Sequence, residues 1–439
     1  MRLNKRPTIV PRRRVPRPRT ARAGVGLFGW SVVALIIVGV GRITEFIPAL
    51  RGVPLAKIAV GLALLAWWTG RAQSRSRIPV LSTPIGRTAA ALGILAVISL
   101  AFSVWKSRTL QVLIESIPIA AEFWLIFRAV SDWRSVRRLS ATIAVAGGAL
   151  AVTALLFYSG GRAAVRSSYD TNDLAYVLVA ALPIAYGLAV TSKGPRRTLW
   201  LALCAAFVVT VILTGSRGGA IGLGAVVLCL LAMSATRPQR QDGRTYRGRV
   251  AIVLLALAVA GPLSWPLLPA ETRERLATFA DLGNDYNMQS GHDARTDIWT
   301  RSMKSLLTRP IGFGMGAFSV VDMRTGGQFR AAHNSEVQIA VELGFLGLFL
   351  YLRMYWLSWV ALGRLIELGT ARGAAVSADL QERAILAANL RVSLIGNFAA
   401  GFFLSQAYSN LIWLLFGLVG GIASAFLPRK ATVRAVARA

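Results

Sequence analysis

Residues 198–235 read TLWLALCAAFVVTVILTGSRGGAIGLGAVVLCLLAMSA, and Arg217 is the one charged side chain among them. Two apolar runs near the ~20-residue length that crosses a ~30 Å hydrocarbon core flank it. The glycines at 215, 218 and 219 let the backbone turn back sharply between them. The spacing predicts a hairpin of two membrane helices with an arginine at its tip. The same alternation of apolar run and charged break extends outward in both directions. Of 439 residues, 55% are hydrophobic and 16% charged, with a mean hydropathy of +0.55. A soluble domain carries roughly 25% charged residues and could not cover that much apolar surface. The fold class expected is therefore all-α: a polytopic membrane protein, with a cytosolic enzyme, a nucleic-acid module and a disulfide scaffold excluded.

About twelve spans follow from the breaks: 25–46, 53–69, 88–105, 110–129, 140–158, 173–191, 198–213, 219–235, 250–268, 334–358, 384–404 and 411–427. The 110–129 run contains Glu115, Pro118 and Glu122 and is expected to kink or to re-enter the membrane. The chain divides into a basic tail (1–24), nine spans (25–268), a long external loop (269–333), three spans (334–427) and a second basic tail (428–439). Val25 to Val40 reads as an uncleaved first helix. Cys204 and Cys229 both lie in apolar runs, so neither a structural disulfide nor a thiolate metal site is expected.

Net charge is +31. In a soluble protein that would suggest nucleic acid, but here the basic residues fall in alternate connections. With the N-terminus inside, the segments placed inside carry 31 lysines and arginines and the short outside ones 6. Both termini are therefore expected in the cytoplasm. The Pro-interrupted N-terminal tail suits anionic lipid headgroups, and no nucleic-acid partner is expected.

The loop at 269–333 is far longer than an ordinary connector, and loops of that length usually carry function. Within it, Asp293 to Leu307 aligns Ile298, Trp299, Ser302, Met303 and Leu306 on one face, as expected of a short amphipathic helix lying on the outer membrane surface. The stretch PIGFGMGAF at 310–318 turns the chain back. Arg217 has two readings: an anchor that snorkels to headgroups, or a rigid fork of donors for phosphate oxygens. At 331–347 the chain reads AAHNSEVQIAVELGFLG. His333 and Asn334 stand at a helix entrance, with Glu336, Gln338 and Glu342 behind them. Polar groups there face protein or water rather than lipid. Asn334 reads equally well as the helix cap.

No cluster of His, Cys and carboxylates has metal-ligand spacing, although Asp281, Asp285, Asp293 and Asp297 could hold a loose cation, and no phosphate-binding glycine loop is present. Neither a metal nor a cofactor is expected. A histidine near the membrane, several arginines and a floor of helices suit transfer of a group from a phosphate-bearing lipid. The arginines would stabilise the leaving diphosphate and the histidine would remove a proton from the acceptor hydroxyl. A transporter or flippase of lipid-linked saccharides is the competing reading, and the mid-span Arg391 would suit it.

Three motifs in order carry a family resemblance: Thr-Gly-Ser-Arg-Gly-Gly at 214–219; Arg295-x-x-Ile298-Trp299 followed by Pro-Ile-Gly-Phe-Gly-Met-Gly at 310–316; and His333-Asn334 leading to Glu-Leu-Gly-Phe-Leu-Gly at 342–347. Together they resemble the bacterial O-antigen ligase/O-antigen polymerase superfamily over roughly 165–350. The Ser-Tyr-Asp-Thr-Asn-Asp stretch at 168–173 resembles the segment that opens that family's sixth helix, without its proline. The resemblance implies an inverting, metal-independent glycosyltransferase of the inner membrane, active on its periplasmic face. It would act as a ligase or polymerase of O-antigen, exopolysaccharide or capsule. The donor would be an undecaprenyl-diphosphate-linked glycan and the acceptor a polysaccharide or lipid A-core. Carried over by motif, Arg217 and Arg295 would hold the diphosphate and His333 would activate the acceptor, with Arg301, Asn334 and Glu336 as further substrate-binding candidates.

Overall fold

A computed structural model describes residues 26–42, 47–50, 52–70, 79–165, 169–236, 266, 269–277, 295–370 and 376–427. Its fourteen α-helices are α1 (Leu27–Gly39), α2 (Leu55–Thr69), α3 (Pro84–Phe102), α4 (Lys106–Ala129), α5 (Trp133–Leu156), α6 (Thr171–Thr191), α7 (Pro195–Leu213), α8 (Arg217–Thr236), α9 (Ala270–Ala277), α10 (Arg295–Thr308), α11 (Phe318–Arg324), α12 (Ser335–Thr370), α13 (Ala378–Gly401) and α14 (Asn410–Phe426). Seven of them (α3 to α7, α12 and α13) are long and apolar enough to cross a membrane. The shorter α1, α2 and α14, and the stretch Arg217–Met233 of α8, are also apolar. Eleven expected spans thus coincide with helices. Nearly all of the expected span at 250–268, both basic tails, and Asp281, Asp285 and Asp293 lie outside the described residues.

Helix α6 is the centre of the bundle. Its first turn is capped by Asp170, which accepts from the backbone N–H of Asn172 (2.7 Å) and Asp173 (2.8 Å). Beyond that turn the sequence is apolar on every side, and such a helix is stable only where neighbours surround it. Its neighbours are α5, α7, α8 and α13. Small residues let them approach. At Gly222 of α8 an added Cβ would lie 3.0 Å from Ala400 of α13 and 3.1 Å from Val179 of α6. Across this seam Ser393 donates its hydroxyl to the Ala180 carbonyl at 2.6 Å, the kind of close polar packing that holds membrane helices together.

Helix α4 continues through Pro118 as a single helix. Helix α12 kinks at Gly344, whose φ is +72° and ψ −172°. That conformation favours glycine and interrupts the helical hydrogen-bond ladder. The loop supplies the missing partners: Phe313 N–H donates to Val341 O (2.9 Å) and Gly314 N–H to Glu342 O (2.9 Å). In return Phe345 N–H donates to Pro310 O (3.0 Å). The motifs at 310–316 and 342–347 are therefore one interlocked unit.

The loop also clasps the ends of α3 and α4. Val104 N–H donates to Phe313 O (3.0 Å), Met315 N–H to Ser99 Oγ (3.1 Å), and Thr109 Oγ1 to Met315 O (2.7 Å). The amphipathic helix forms as α10, and Ile298 and Leu306 of its apolar face are buried by protein. Ile298 joins Phe318, Val321, Ala332 and Val341 in a small core of its own, distinct from that of the bundle. Met303, expected on the same face, is exposed.

Candidate active site

The starts of α6, α8 and α12, the helix α10 and the turn at 402–409 meet at the loop-bearing end of the bundle. The turn at 214–216 is built from its own hydroxyls. Ser216 N–H donates to Thr214 Oγ1 (3.2 Å), and Ser216 Oγ accepts from Gly219 N–H (3.2 Å), capping α8. Arg162 ties this turn to α6, donating Nε–H to Thr214 O (2.8 Å) and reaching Asn172 Oδ1 (3.4 Å). Arg217, half-buried, is thereby placed at the first position of α8. Its neighbour Gly218 packs on Phe403, where an added Cβ would lie 2.8 Å from Phe403 Cβ.

From Phe403 the contacts lead to the histidine. Phe403 meets Phe402 edge-on at 5.4 Å, and Phe402 meets Trp299 of α10 in the same way at 5.4 Å. Trp299 Nε1–H donates to Ala332 O (3.0 Å), the residue before His333. His333 has a φ of +47°, a left-handed conformation that costs about 1–2 kcal/mol for a residue with a Cβ. Its N–H donates to Ser405 Oγ at 2.9 Å. Two residues on, Ser335 Oγ accepts from Gln406 N–H (3.0 Å). The 333–335 segment is thus stapled to the turn after α13, which holds the strained residue in place.

The imidazole is half-buried, and its pKa lies below the ordinary histidine value. Burial is the largest cause; the charges of Arg295 and Arg330 act in the same direction, while Asp170 opposes them. Neutral imidazole is therefore the favoured form at neutral pH. Arg295, Arg330 and Asp170 thus lie within electrostatic reach of His333.

The other expected residues fare differently. Asn334 is buried and its Oδ1 accepts from Val337 N–H (2.8 Å), so it caps the first turn of α12. Arg301 is paired with buried Asp322, its Nε and Nη2 lying 3.0 and 2.9 Å from one oxygen, which ties α10 to α11. Glu336 points into the bundle, within electrostatic reach of Tyr176, Tyr351 and Tyr355; it is Asp170 that faces His333. Asp170 and Arg330 could have been suspected from the sequence, since one lies in the 168–173 stretch and the other three residues before His333. Ser405 left no signal, because a serine 72 residues away is informative only after folding. Among the described residues no three His, Cys, Asp or Glu side chains form a metal-ligand group, and both cysteines are free thiols.

No curated protein matches the chain. Residues 201–352, however, match the family model described as O-antigen ligase. The matched stretch starts in α7, takes in the 214–219 turn, α10 and His333, and ends eight residues beyond the kink at Gly344. The turn, the loop helix and the histidine that converge at this end of the bundle are thus within the part of the chain that is similar to the O-antigen ligase family, about a third of its length.

Proposed function

We propose that the protein transfers a glycan from undecaprenyl diphosphate to a sugar hydroxyl, as a ligase or polymerase of O-antigen, exopolysaccharide or capsule, at the periplasmic face of the bacterial inner membrane. The observation that carries this reading is His333, held by Ser405 within electrostatic reach of Arg295, Arg330 and Asp170, at the end of the bundle that bears Arg217. Arg217 and Arg295 hold the diphosphate of the donor, where a guanidinium fork fits two oxygens and offsets charge as the leaving group departs. The acceptor oxygen attacks the anomeric carbon from the face opposite the diphosphate. As the new C–O bond forms, the bond to phosphate breaks and the hydroxyl proton passes to the imidazole of His333. Undecaprenyl diphosphate leaves, the anomeric centre is inverted, and the charges balance without a metal. Donor binding also prepares the base: the incoming diphosphate offsets the Arg295 and Arg330 charges that oppose imidazole protonation.

Arg391, the charge a transporter would turn into a cavity, instead stacks on Trp359 at 4.1 Å and donates Nε–H to the Trp359 carbonyl at 2.9 Å. That arrangement favours the transferase. The test is transfer of an undecaprenyl-diphosphate glycan to a lipid A-core or polysaccharide acceptor in proteoliposomes, with chelator present. His333→Ala should slow transfer by about 10²-fold or more while donor binding persists. A fast His333→Ala enzyme, or an activity that chelator abolishes, refutes the mechanism.

A further inference from the structure

A cavity of about 550 Å³ lies on the other side of the segment that bears His333. One wall is Trp105, which precedes α4, and the first half of α4, with Arg108, Gln111 and Glu115. The opposite wall is Gln338 and Glu342 of α12 with Tyr408, and Ala331, Ala332 and Ser405 close the end nearest His333. None of the α4 residues belongs to the matched stretch or to the machinery assigned above.

The lining indicates what the cavity takes. Trp105 and Phe329 meet edge-on at 5.7 Å and present ring surface to it. Around them are groups that exchange hydrogen bonds with hydroxyls. Gln111 Nε2 donates to Glu115 Oε1 (2.8 Å), leaving the second carboxylate oxygen as an acceptor. Tyr408 donates to Glu342 Oε2 (2.7 Å). Gln338 Oε1 is buried and accepts no hydrogen bond from the described residues, a cost that a ligand hydroxyl would remove. Glu115 offsets Arg108, so the lining offers no excess of positive charge for a diphosphate or an acidic sugar, and so many polar groups disfavour a lipid tail. We infer that this cavity binds a neutral saccharide, the acceptor chain, whose terminal sugar reaches His333 past Ser405. Its part in catalysis rests on the transferase reading; its occupancy by sugar does not.

Binding is measured without donor, so that no transfer can occur. The full-length protein in lipid nanodiscs is titrated calorimetrically with three probes. Two are the neutral and acidic oligosaccharide fractions released from the cell's own surface polysaccharide and lipopolysaccharide, and the third is inorganic diphosphate. The neutral fraction should bind, and Trp105→Ala and Gln111→Ala should each weaken it by about tenfold, whereas Arg217→Ala should not. Gln111 is an exposed helix residue, so its substitution leaves the fold intact. Binding of the acidic fraction alone, binding of no saccharide, or neutral binding unaffected by both the Trp105 and Gln111 variants overturns the proposal. In the transfer assay the same variants should raise the acceptor KM about tenfold and leave the donor KM unchanged. Transfer with an unmoved acceptor KM refutes the cavity assignment and spares the transferase. Neutral-sugar binding that the Trp105 and Gln111 variants weaken, without transfer by the wild type, does the reverse.

Discussion

Gly344→Ala separates a latch from an ordinary helix position, because the two differ in sign. In a regular helix the substitution stabilises by about 1 kcal/mol, since alanine is the better helix former. At a φ of +72° an alanine instead pays about 1–2 kcal/mol. Its Cβ would also meet the Pro310 carbonyl oxygen and lie 2.5 Å from the Ile311 carbonyl carbon. Both are backbone atoms that cannot rotate away. Relief requires the loop to lift, breaking the bonds Phe313 to Val341, Gly314 to Glu342 and Phe345 to Pro310. At about 1 kcal/mol each, these bound the loss at about 3 kcal/mol, since lifting the loop also relieves the strain. The population with an open loop should then rise by at least about tenfold, the factor that about 1–2 kcal/mol of closed-form strain gives alone, and tryptic cleavage at exposed Arg324 should accelerate with it when reclosing is fast. Transfer should fall at least about 10²-fold, because α10 and Arg295 lose their registration with His333. Unchanged cleavage at Arg324 together with unchanged transfer would show that the kink is not a latch.

Other substitutions probe the site itself. Arg217→Ala and Arg295→Ala should abolish transfer while the protein still accumulates in the membrane, with lysine a poor substitute at either position; near-normal activity of both alanine variants would remove the diphosphate clamp. Asp170→Asn deletes the charge that raises the His333 pKa, so the acid limb of the pH–rate profile should move to lower pH. Arg330→Ala, which removes a charge that lowers that pKa, should move the limb upward; identical limbs in both variants would detach the limb from His333. Asn334→Ala should destabilise by about 1 kcal/mol through loss of the cap to Val337, read as a lower thermal midpoint, with donor KM unaffected. Topology reporters inserted at Gly194 and Gly326 should report cytoplasm and periplasm, and the reverse result would remove the periplasmic chemistry.

Span positions are legible in the sequence because lipid imposes a local rule. The run expected at 173–191 is found as Thr171–Thr191 and the one at 198–213 as Pro195–Leu213. Charge breaks mark both ends of each run, and no distant residue is needed to see them. The kink at Gly344 is different. A lone glycine in ELGFLG is tolerable in a helix, and only the approach of Pro310 and Ile311 shows that its φ must be positive. The apolar stripe of α10 was visible but its partner was not, since a membrane surface and the Phe318/Val321 patch ask for the same side chains. At the site, the residue types that carry chemistry, Arg217, Arg295 and His333, could be read from motifs. Their supports, Ser405, Asp170 and Arg162, come from segments far from His333, and tertiary structure alone brings them together.

The clasp of His333 by Ser405 fixes when this segment closes during the protein's own synthesis. Ribosomes deliver the histidine 72 residues before the serine that holds it, and the tie from Ser335 to Gln406 arrives later still. A nascent chain that has completed α12 therefore already carries the arginines and the imidazole, but not the Ser405 and Gln406 ties on the strained backbone. The segment closes only after α13 has been made and the chain has continued past residue 406. A chain truncated before residue 405 lacks both ties.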